Sequence, residues 1–233
     1  MDTPTFGLLL FPGLTQLDLT GPYEVLARVP GAKVNLIWKT LDPVTADTGM
    51  RILPTTTFAE CPDLDLLLVP GGAGVNELMG DAETLAFLRE RAGRTRYLAS
   101  VCTGALVLGA AGLLKGRRAA THWASRHFLE AFSAEPVAER VVVDRTLFSG
   151  GGVTAGIDIA LRIVGSLFGE ALAKAIQLSI EYDPQPPFAA GSPEGAGPEV
   201  VAVMRERMGP MLESRAAAVR SAALALGGMD EGG

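Results

Sequence analysis

Short apolar runs alternate with longer segments of mixed polarity along most of the chain. The mainly apolar runs at residues 6–11, 64–69 and 97–101 predict strands that are covered on both faces, as in a parallel sheet. Residues 81–93 carry apolar positions at helical spacing and predict an amphipathic helix. Strands that alternate with helices in this way predict an α/β fold, a flavodoxin-like three-layer αβα sandwich with a mainly parallel sheet.

The same patterns divide the chain into three parts. An α/β domain is predicted over residues 1–182, followed by a proline- and glycine-rich extended segment over residues 183–198. Residues 199–233 form a C-terminal helical extension, which we expect to be broken at Gly209–Pro210. Further strands are predicted at residues 33–39, 44–53, 119–121, 137–144 and 147–149, and further helices at residues 23–28, 122–132, 156–168 and 169–180.

Composition narrows the class of protein. The chain has 233 residues, of which 48% are hydrophobic and 20% charged, with a formal net charge of −6. An acidic chain of this kind is not typical of nucleic-acid binding. The first residues lack the positive flank of a signal peptide, and the apolar run at 6–11 is too short to cross a membrane. Two cysteines and two histidines without close spacing indicate neither a disulfide framework nor a structural zinc site, and we expect a cytoplasmic protein.

Cys102 follows the strand at 97–101 and precedes an Ala/Leu/Gly-rich helix, with one or two residues for the turn. Such a turn lifts its middle side chain toward the crevice at the carboxyl ends of the strands, where α/β proteins bind ligands. The following helix points its N–H groups at the turn, so we expect this thiol to lose its proton more easily. Cys102 is therefore a candidate nucleophile. The alternative is a small buried apolar residue, which is the usual role of a free cysteine.

Asp18 follows the first strand and so belongs to the same crevice. Its neighbours Leu17 and Leu19 favour the neutral acid form, although Asp18 or Thr20 could instead be a helix cap. The glycine-rich loop at residues 70–74 has neither the spacing nor the lysine of a nucleotide-binding loop. We expect its backbone N–H groups to approach a ligand closely.

His122 and Cys61 are two further residues of interest, the first with two possible roles and the second with one. His122 begins the predicted helix at 122–132, and it either caps or braces that helix or reaches the cysteine. Cys61 has no neighbour in sequence that would activate a thiol, so we interpret it as a packing residue.

Four motifs together resemble the DJ-1/ThiJ/PfpI superfamily, and the resemblance runs from residue 6 to about residue 182. They are the elbow at residues 99–105, LDLTGP at 17–22, VPGGAG at 69–74 and THW at 121–123. Within the superfamily the chain is most similar to the isocyanide (isonitrile) hydratases. The features that indicate this are Asp18 where many relatives have glutamate, Thr103 after the cysteine, and the segment EYDPQPPF followed by GSP.

The resemblance implies hydration of an isocyanide by water to an N-formamide. Cys102 would attack the terminal isocyanide carbon to give a covalent thioimidate, and Asp18 would act as general acid and then help to deliver water. The hydroxyl of Thr103 would hold a water or Asp18, and the N–H groups of Gly72 and Thr103 would stabilise an anion at the cysteine. The resemblance implies no metal, no cofactor and a homodimer whose C-terminal helices contribute to the interface.

Three alternatives stay open at this point. Another thiol chemistry of the same superfamily, such as a hydrolase or glyoxalase, uses the same elbow, although those relatives usually place glutamate beside the cysteine. The ligand-sensing domains of AraC-type regulators share the motifs without being catalytic, but the residues after Pro187 show no helix-turn-helix pattern. An accessible thiol of low pKa would also serve as a redox sensor.

Overall fold

A seven-stranded sheet forms the centre of the computed structural model, which describes residues 3–230. Neighbouring strands are parallel, except for an antiparallel pair at one edge. From that edge the order is β10 (Val141–Asp144), β11 (Leu147–Gly150), β7 (Tyr97–Val101), β6 (Leu66–Val69), β1 (Thr5–Leu9), β2 (Lys33–Trp38) and β5 (Thr56–Thr57). Two small ribbons pair β3 (Val44–Thr45) with β4 (Arg51–Ile52) and β8 (Arg118–Ala119) with β9 (Glu135–Pro136).

Helices cover both faces of the sheet and confirm the predicted three-layer sandwich. On one face α1 (Gln16–Leu26) packs against α5 (Ala155–Phe168), and α6 (Glu170–Ser179) packs on α5. The other face carries α2 (Val75–Leu78), α3 (Ala82–Ala92), α4 (Gly104–Ala110), a 3₁₀ helix (Trp123–Phe132) and the long α7 (Pro193–Asp230). Within residues 3–230, none of these helices combines the length and the apolar character needed to span a bilayer.

The core lies where the two helical layers meet the central strands. All four residues of β6 are fully buried, in agreement with their unbroken apolar run. The amphipathic helix α3 begins after Asp81, whose carboxylate accepts a hydrogen bond from the Thr84 N–H at 2.9 Å. Cys61 is buried in this core, as its interpretation as a packing residue predicts.

The strand order reverses direction at β1, and this reversal creates a crevice. From β1 the chain continues to β2 on one side, whereas β6 pairs with β1 on the other side. The loops after β1 and β6 are nevertheless joined by backbone hydrogen bonds, from the Thr15 N–H to the Gly71 carbonyl at 2.9 Å and from the Gly74 N–H to the Gly13 carbonyl at 3.1 Å. In α/β folds such a switch point is the usual ligand site.

Two predicted helices differ from the structure, the first in where it begins and the second in its helix type. The first helix begins at Gln16 rather than residue 23, so Asp18 lies in its first turn and not before it. The cap position is Thr15, so Asp18 is not the helix cap. The helix predicted at 122–132 is present but has 3₁₀ geometry.

The C-terminal helix also departs from its prediction, because it begins at Pro193, within the segment 183–198 that is predicted to be extended. It continues through Gly209–Pro210, and its one non-helical residue is Gly197. Glu206 and Pro210 are both exposed, so water can satisfy the carbonyl that proline leaves without a donor. The predicted outer limits at residues 1 and 233 lie outside the described residues.

Candidate active site

Cys102 occupies a strained turn between β7 and α4. Its φ of 54° lies in the left-handed region, which a residue with a side chain adopts only at a cost. The turn is held from both sides, because the Cys102 N–H donates to the Gly150 carbonyl at 3.1 Å and the Cys102 carbonyl accepts from the Thr121 hydroxyl at 2.7 Å. A side chain at Gly104 would clash with the backbone of Val69, which explains the glycine at the start of α4.

Asp18 lies in the first turn of α1 and is fully buried. Its Oδ2 accepts a hydrogen bond from the Gly71 N–H at 2.8 Å, whereas Oδ1 has no hydrogen-bond partner within the described part of the chain. Burial raises the pKa of Asp18 from 3.8 to about 7, against the smaller opposing effects of the Gly71 N–H and the Cys102 thiol. Asp18 and Cys102 therefore affect each other's pKa, and their positions after β1 and β7 predict that they lie at the same edge of the sheet.

The thiol itself does not have the lowered pKa that its place before a helix suggested. Burial raises the pKa of Cys102, and the negative charge of Asp18 raises it further. The N–H and hydroxyl of Thr103 and the positive charge of Arg215 lower this pKa by less. Helix α4 has only seven residues, so its dipole cannot offset the loss of water around the sulfur.

Thr103 ties the elbow to the loop after β6. Its Oγ1 accepts a hydrogen bond from the Gly72 N–H at 3.0 Å and donates to the Gly72 carbonyl at 3.4 Å. The hydroxyl thus contacts Gly72 rather than Asp18. An anion at the sulfur would compete with this hydroxyl for the Gly72 N–H, while the Thr103 N–H already acts on Cys102.

Gly71 lies in the narrow space between the carboxyl of Asp18 and Thr103. A Cβ at this position would lie 2.5 Å from the Thr103 nitrogen, 2.6 Å from its Oγ1 and 2.8 Å from Oδ2 of Asp18. Because these distances are below any normal contact, only glycine allows the loop to touch both residues. The loop therefore approaches Asp18 and Thr103 closely, and its approach to a ligand stays a prediction.

His122 has a structural contact that favours the first of its two interpretations. Its Nδ1 accepts the Ala124 N–H at 3.4 Å, so the side chain caps the 3₁₀ helix. Burial lowers the pKa of His122 to about 4, with a smaller effect of Arg215, so the imidazole is neutral at pH 7.

Sequence reasoning missed two residues that the fold brings to this site, Thr121 and Arg215. Thr121 supports the cysteine carbonyl, and Arg215 reaches across from α7 to donate to the Gly72 carbonyl at 3.3 Å. A signal for Arg215 exists in the sequence. It lies at helical spacing from Val219 and Ala222, which are both buried, so the pattern places the arginine on the inner face of α7.

Two clefts adjoin the outer side of the elbow and share His122 and Trp123. One, of about 480 Å³, also contains Thr121, whose hydroxyl holds the cysteine carbonyl. The other, of about 320 Å³, is mainly apolar and is bounded by Val200, Met204 and neighbouring residues of α7. These clefts lie on the side of the site where the 3₁₀ helix and the C-terminal helix meet.

The described residues contain no group of three or more His, Cys, Asp or Glu side chains that would hold a metal ion. The site brings one thiol and one buried carboxyl of raised pKa to the same edge of the sheet. Such a pair can add a sulfur and a proton to an electrophilic carbon, and the same carboxyl can then activate water.

Comparisons with known proteins show the family to which this fold is related. The model of the DJ-1/PfpI family matches residues 6–166. Isonitrile hydratase from Pseudomonas putida is 54% identical over 220 residues, which cover 94% of this chain and 96% of that protein. The crystal structure of a THiJ/PfpI family protein from Pseudomonas syringae has a TM-score of 0.91 at 45% identity and covers 94% of this chain and 91% of its own.

A regulator of Pseudomonas aeruginosa is also similar. The HTH-type transcriptional regulator GbdR is 31% identical over 187 residues, which are 77% of this chain but only 51% of the regulator. This chain therefore spans about half the length of that regulator.

Proposed function

Because the chain belongs to the DJ-1/PfpI family, as its motifs predict, we propose that it hydrates isocyanides (isonitriles) to N-formamides. The observation that carries the proposal is the 54% identity with the Pseudomonas putida isonitrile hydratase over nearly the full length of both chains. The thiol and the buried carboxyl supply groups suited to that reaction. An isocyanide and water are the substrates, and the residues named below need no cofactor.

The first step joins the sulfur to the terminal carbon of the isocyanide. The Asp18 carboxylate accepts the thiol proton as Cys102 attacks, and the same proton then passes to the isocyanide carbon. One S–C bond and one C–H bond form, and the product is a thioimidate, R–N=CH–S–Cys102. The step balances because the proton that leaves the sulfur becomes the proton on the isocyanide carbon. This route suits a thiol whose pKa is raised by burial, because Asp18 accepts the proton as the sulfur attacks.

The second step hydrolyses the thioimidate. Asp18, again a carboxylate, takes a proton from water as the oxygen attacks the same carbon, and the nitrogen gains a proton. The C–S bond then breaks, the sulfur regains a proton, and the N-formamide leaves. The N–H of Thr103 stabilises the negative charge on the sulfur when it attacks and when it leaves.

Gly72 and Thr103 complete the proposed site. Thr103 keeps the Gly72 loop in place through its hydroxyl, and Gly72 brings backbone atoms to the edge of the substrate position. The substituent of the isocyanide extends toward the two clefts beside His122 and Trp123. We further propose that the enzyme acts in the cytoplasm as a homodimer, with its two cysteines present as free thiols.

Loss of the isocyanide infrared band on addition of purified protein, with the formamide identified by mass, tests the function. The Cys102→Ala variant is the control, and Cys61→Ala is the matched cysteine control that should keep full activity. If the wild-type protein consumes no alkyl or aryl isocyanide, or if Cys102→Ala keeps turnover, the proposal is wrong. Consumption of methylglyoxal in place of isocyanides would instead support a glyoxalase.

A further inference from the structure

Arg215 is a charged side chain in a place where charges are costly. It comes from α7, and only 2% of its surface is exposed. Its Nε donates to Oδ1 of Asn76 at 3.0 Å, its Nη1 to the Ser125 hydroxyl at 2.8 Å and its Nη2 to the Gly72 carbonyl at 3.3 Å. The guanidinium is thus fixed from three sides by neutral groups.

No carboxylate forms an ion pair with Arg215 among residues 3–227. Burial lowers the pKa of this arginine, but a guanidinium remains positive under all ordinary conditions. A buried charge without an opposite charge is destabilising, and charged groups perturbed in this way cluster at functional sites.

The thiol of Cys102 can become an anion and interacts electrostatically with Arg215. The arginine lowers the pKa of the cysteine, and the cysteine in turn raises the pKa of the arginine. The other charged or titratable groups that act on this pair are Asp18, from α1, and His122, which begins the 3₁₀ helix. Asp18 opposes the thiolate, and His122 is neutral at pH 7.

A chain of contacts also links Arg215 to the elbow. Its Nη2 holds the Gly72 carbonyl, and the N–H of the same residue donates to the Thr103 hydroxyl beside Cys102. Asn76, which accepts the Arg215 Nε–H, forms a second hydrogen bond with α7, because its Nδ2 donates to the Ser214 hydroxyl at 3.3 Å. Hydrogen bonds therefore connect the guanidinium through Gly72 to Thr103, the residue that follows Cys102.

We infer that Arg215 is a positioning residue that favours the thiolate form of Cys102 and holds the Gly72 loop beside it. This inference rests on the proposed role of Cys102 as nucleophile. The residue lies outside the region that the family model matches, which ends at residue 166. The C-terminal extension is thus an integral part of the active site, which the α/β domain alone does not complete.

The rate of alkylation of Cys102 by iodoacetamide between pH 6 and pH 10 tests the inference on the full chain. Peptide mass spectrometry separates Cys102 from Cys61, which serves as the internal reference. Arg215→Met removes the charge, and we expect alkylation at pH 8 to be about tenfold slower, the factor that corresponds to one pKa unit. Arg215→Lys should recover part of the rate, and Arg220→Met, an exposed change on the same helix, should leave it unchanged.

A second variant keeps the inference testable if Arg215→Met does not fold. Asn76→Asp leaves the arginine in place but sets a carboxylate against its Nε, so the positive charge is neutralised and alkylation of Cys102 should slow in the same way. A folded Arg215→Met or Asn76→Asp protein with the wild-type pH dependence of alkylation would overturn the inference. Alkylation is independent of isocyanide turnover, so failure of the proposed function would be recognised separately.

Discussion

One carboxyl oxygen of Asp18 accepts the Gly71 N–H at 2.8 Å, while the other meets no hydrogen-bond donor among the described residues. A proton on the second oxygen leaves the first hydrogen bond intact, whereas a negative charge on this fully buried carboxyl is separated from solvent. This explains why burial raises the pKa of Asp18 to about 7. The carboxyl therefore changes its protonation state within the pH range of ordinary assays.

The first prediction concerns the pH dependence of turnover. The active pair contains one proton, so the thiol must be present with an Asp18 carboxylate. The kcat/KM of the wild-type protein should rise with pH through about 7, the pKa of Asp18, and should level off above it.

Asp18→Asn should lower kcat/KM by a factor of roughly 10² to 10⁴ and abolish this rise. Steady-state kinetics across pH 5 to 9 measure both effects, with the exposed change Asp63→Asn as control. A wild-type profile in Asp18→Asn would remove Asp18 from the mechanism.

The second prediction concerns stability. The folded-state pKa of Asp18 is above its ordinary value of 3.8, so its stabilising contribution is complete below about pH 4 and is lost as pH rises through about 7. From pH 5 to pH 8 this group should lower the free energy of unfolding by about 2 kcal/mol. Asp18→Asn should show a smaller decrease over the same range, measured by urea unfolding at each pH. An equal decrease in both proteins would contradict the raised pKa.

The third prediction concerns the glycine between the acid and the elbow. Gly71→Ala adds a Cβ within 2.8 Å of Asp18 and closer still to Thr103, so both residues must move. A shift of about 1 Å in a reacting group can cost about 100-fold in rate, and we expect kcat/KM to fall by that order. Gly80→Ala is the matched control, because its Cβ would meet only the Glu77 carbonyl at 3.6 Å. Equal activities of the two variants would show that the loop is not held as described.

The fourth prediction separates the chemical role of Cys102 from its backbone conformation. Cys102→Ala and Cys102→Gly should both lack turnover, because neither has a thiol. Glycine adopts the φ of 54° without strain, so Cys102→Gly should be more stable than Cys102→Ala by about 1 kcal/mol. Ala105→Gly, within α4, should instead lower the free energy of unfolding by about 1 kcal/mol, because glycine is unfavourable inside a helix. Thermal unfolding measures these differences, and a Cys102→Gly variant less stable than Cys102→Ala would mean that the turn is unstrained.

The sequence predicts the meeting of Asp18 and Cys102 because topology determines it. Parallel strands end at the same edge of a sheet, and each of these residues follows a strand that is mainly apolar. The limits of α1 were missed because Thr15 to Thr20 alternate polar and apolar residues, and the helix is stabilised by its contact with α5 rather than by its own propensity.

The pKa of the thiol and the contribution of Arg215 could not be predicted in the same way. Local sequence shows a helix after the cysteine but does not show how completely the sulfur is buried, and burial outweighs a helix of seven residues. Arg215 is distant from Cys102 in sequence and reaches the site through the packing of α7 against the 3₁₀ helix, α2 and α4. Its buried position on α7 can be derived from the spacing of Val219 and Ala222, but its partners cannot.

The position of Arg215 on the last helix has a consequence for the order in which the protein is made. On the ribosome the sheet, the elbow and the carboxyl of Asp18 all emerge before α7 does. The nascent chain therefore carries Cys102 before the guanidinium whose charge acts on this thiol in the finished molecule, and the proposed site is complete only when α7 has packed against the 3₁₀ helix.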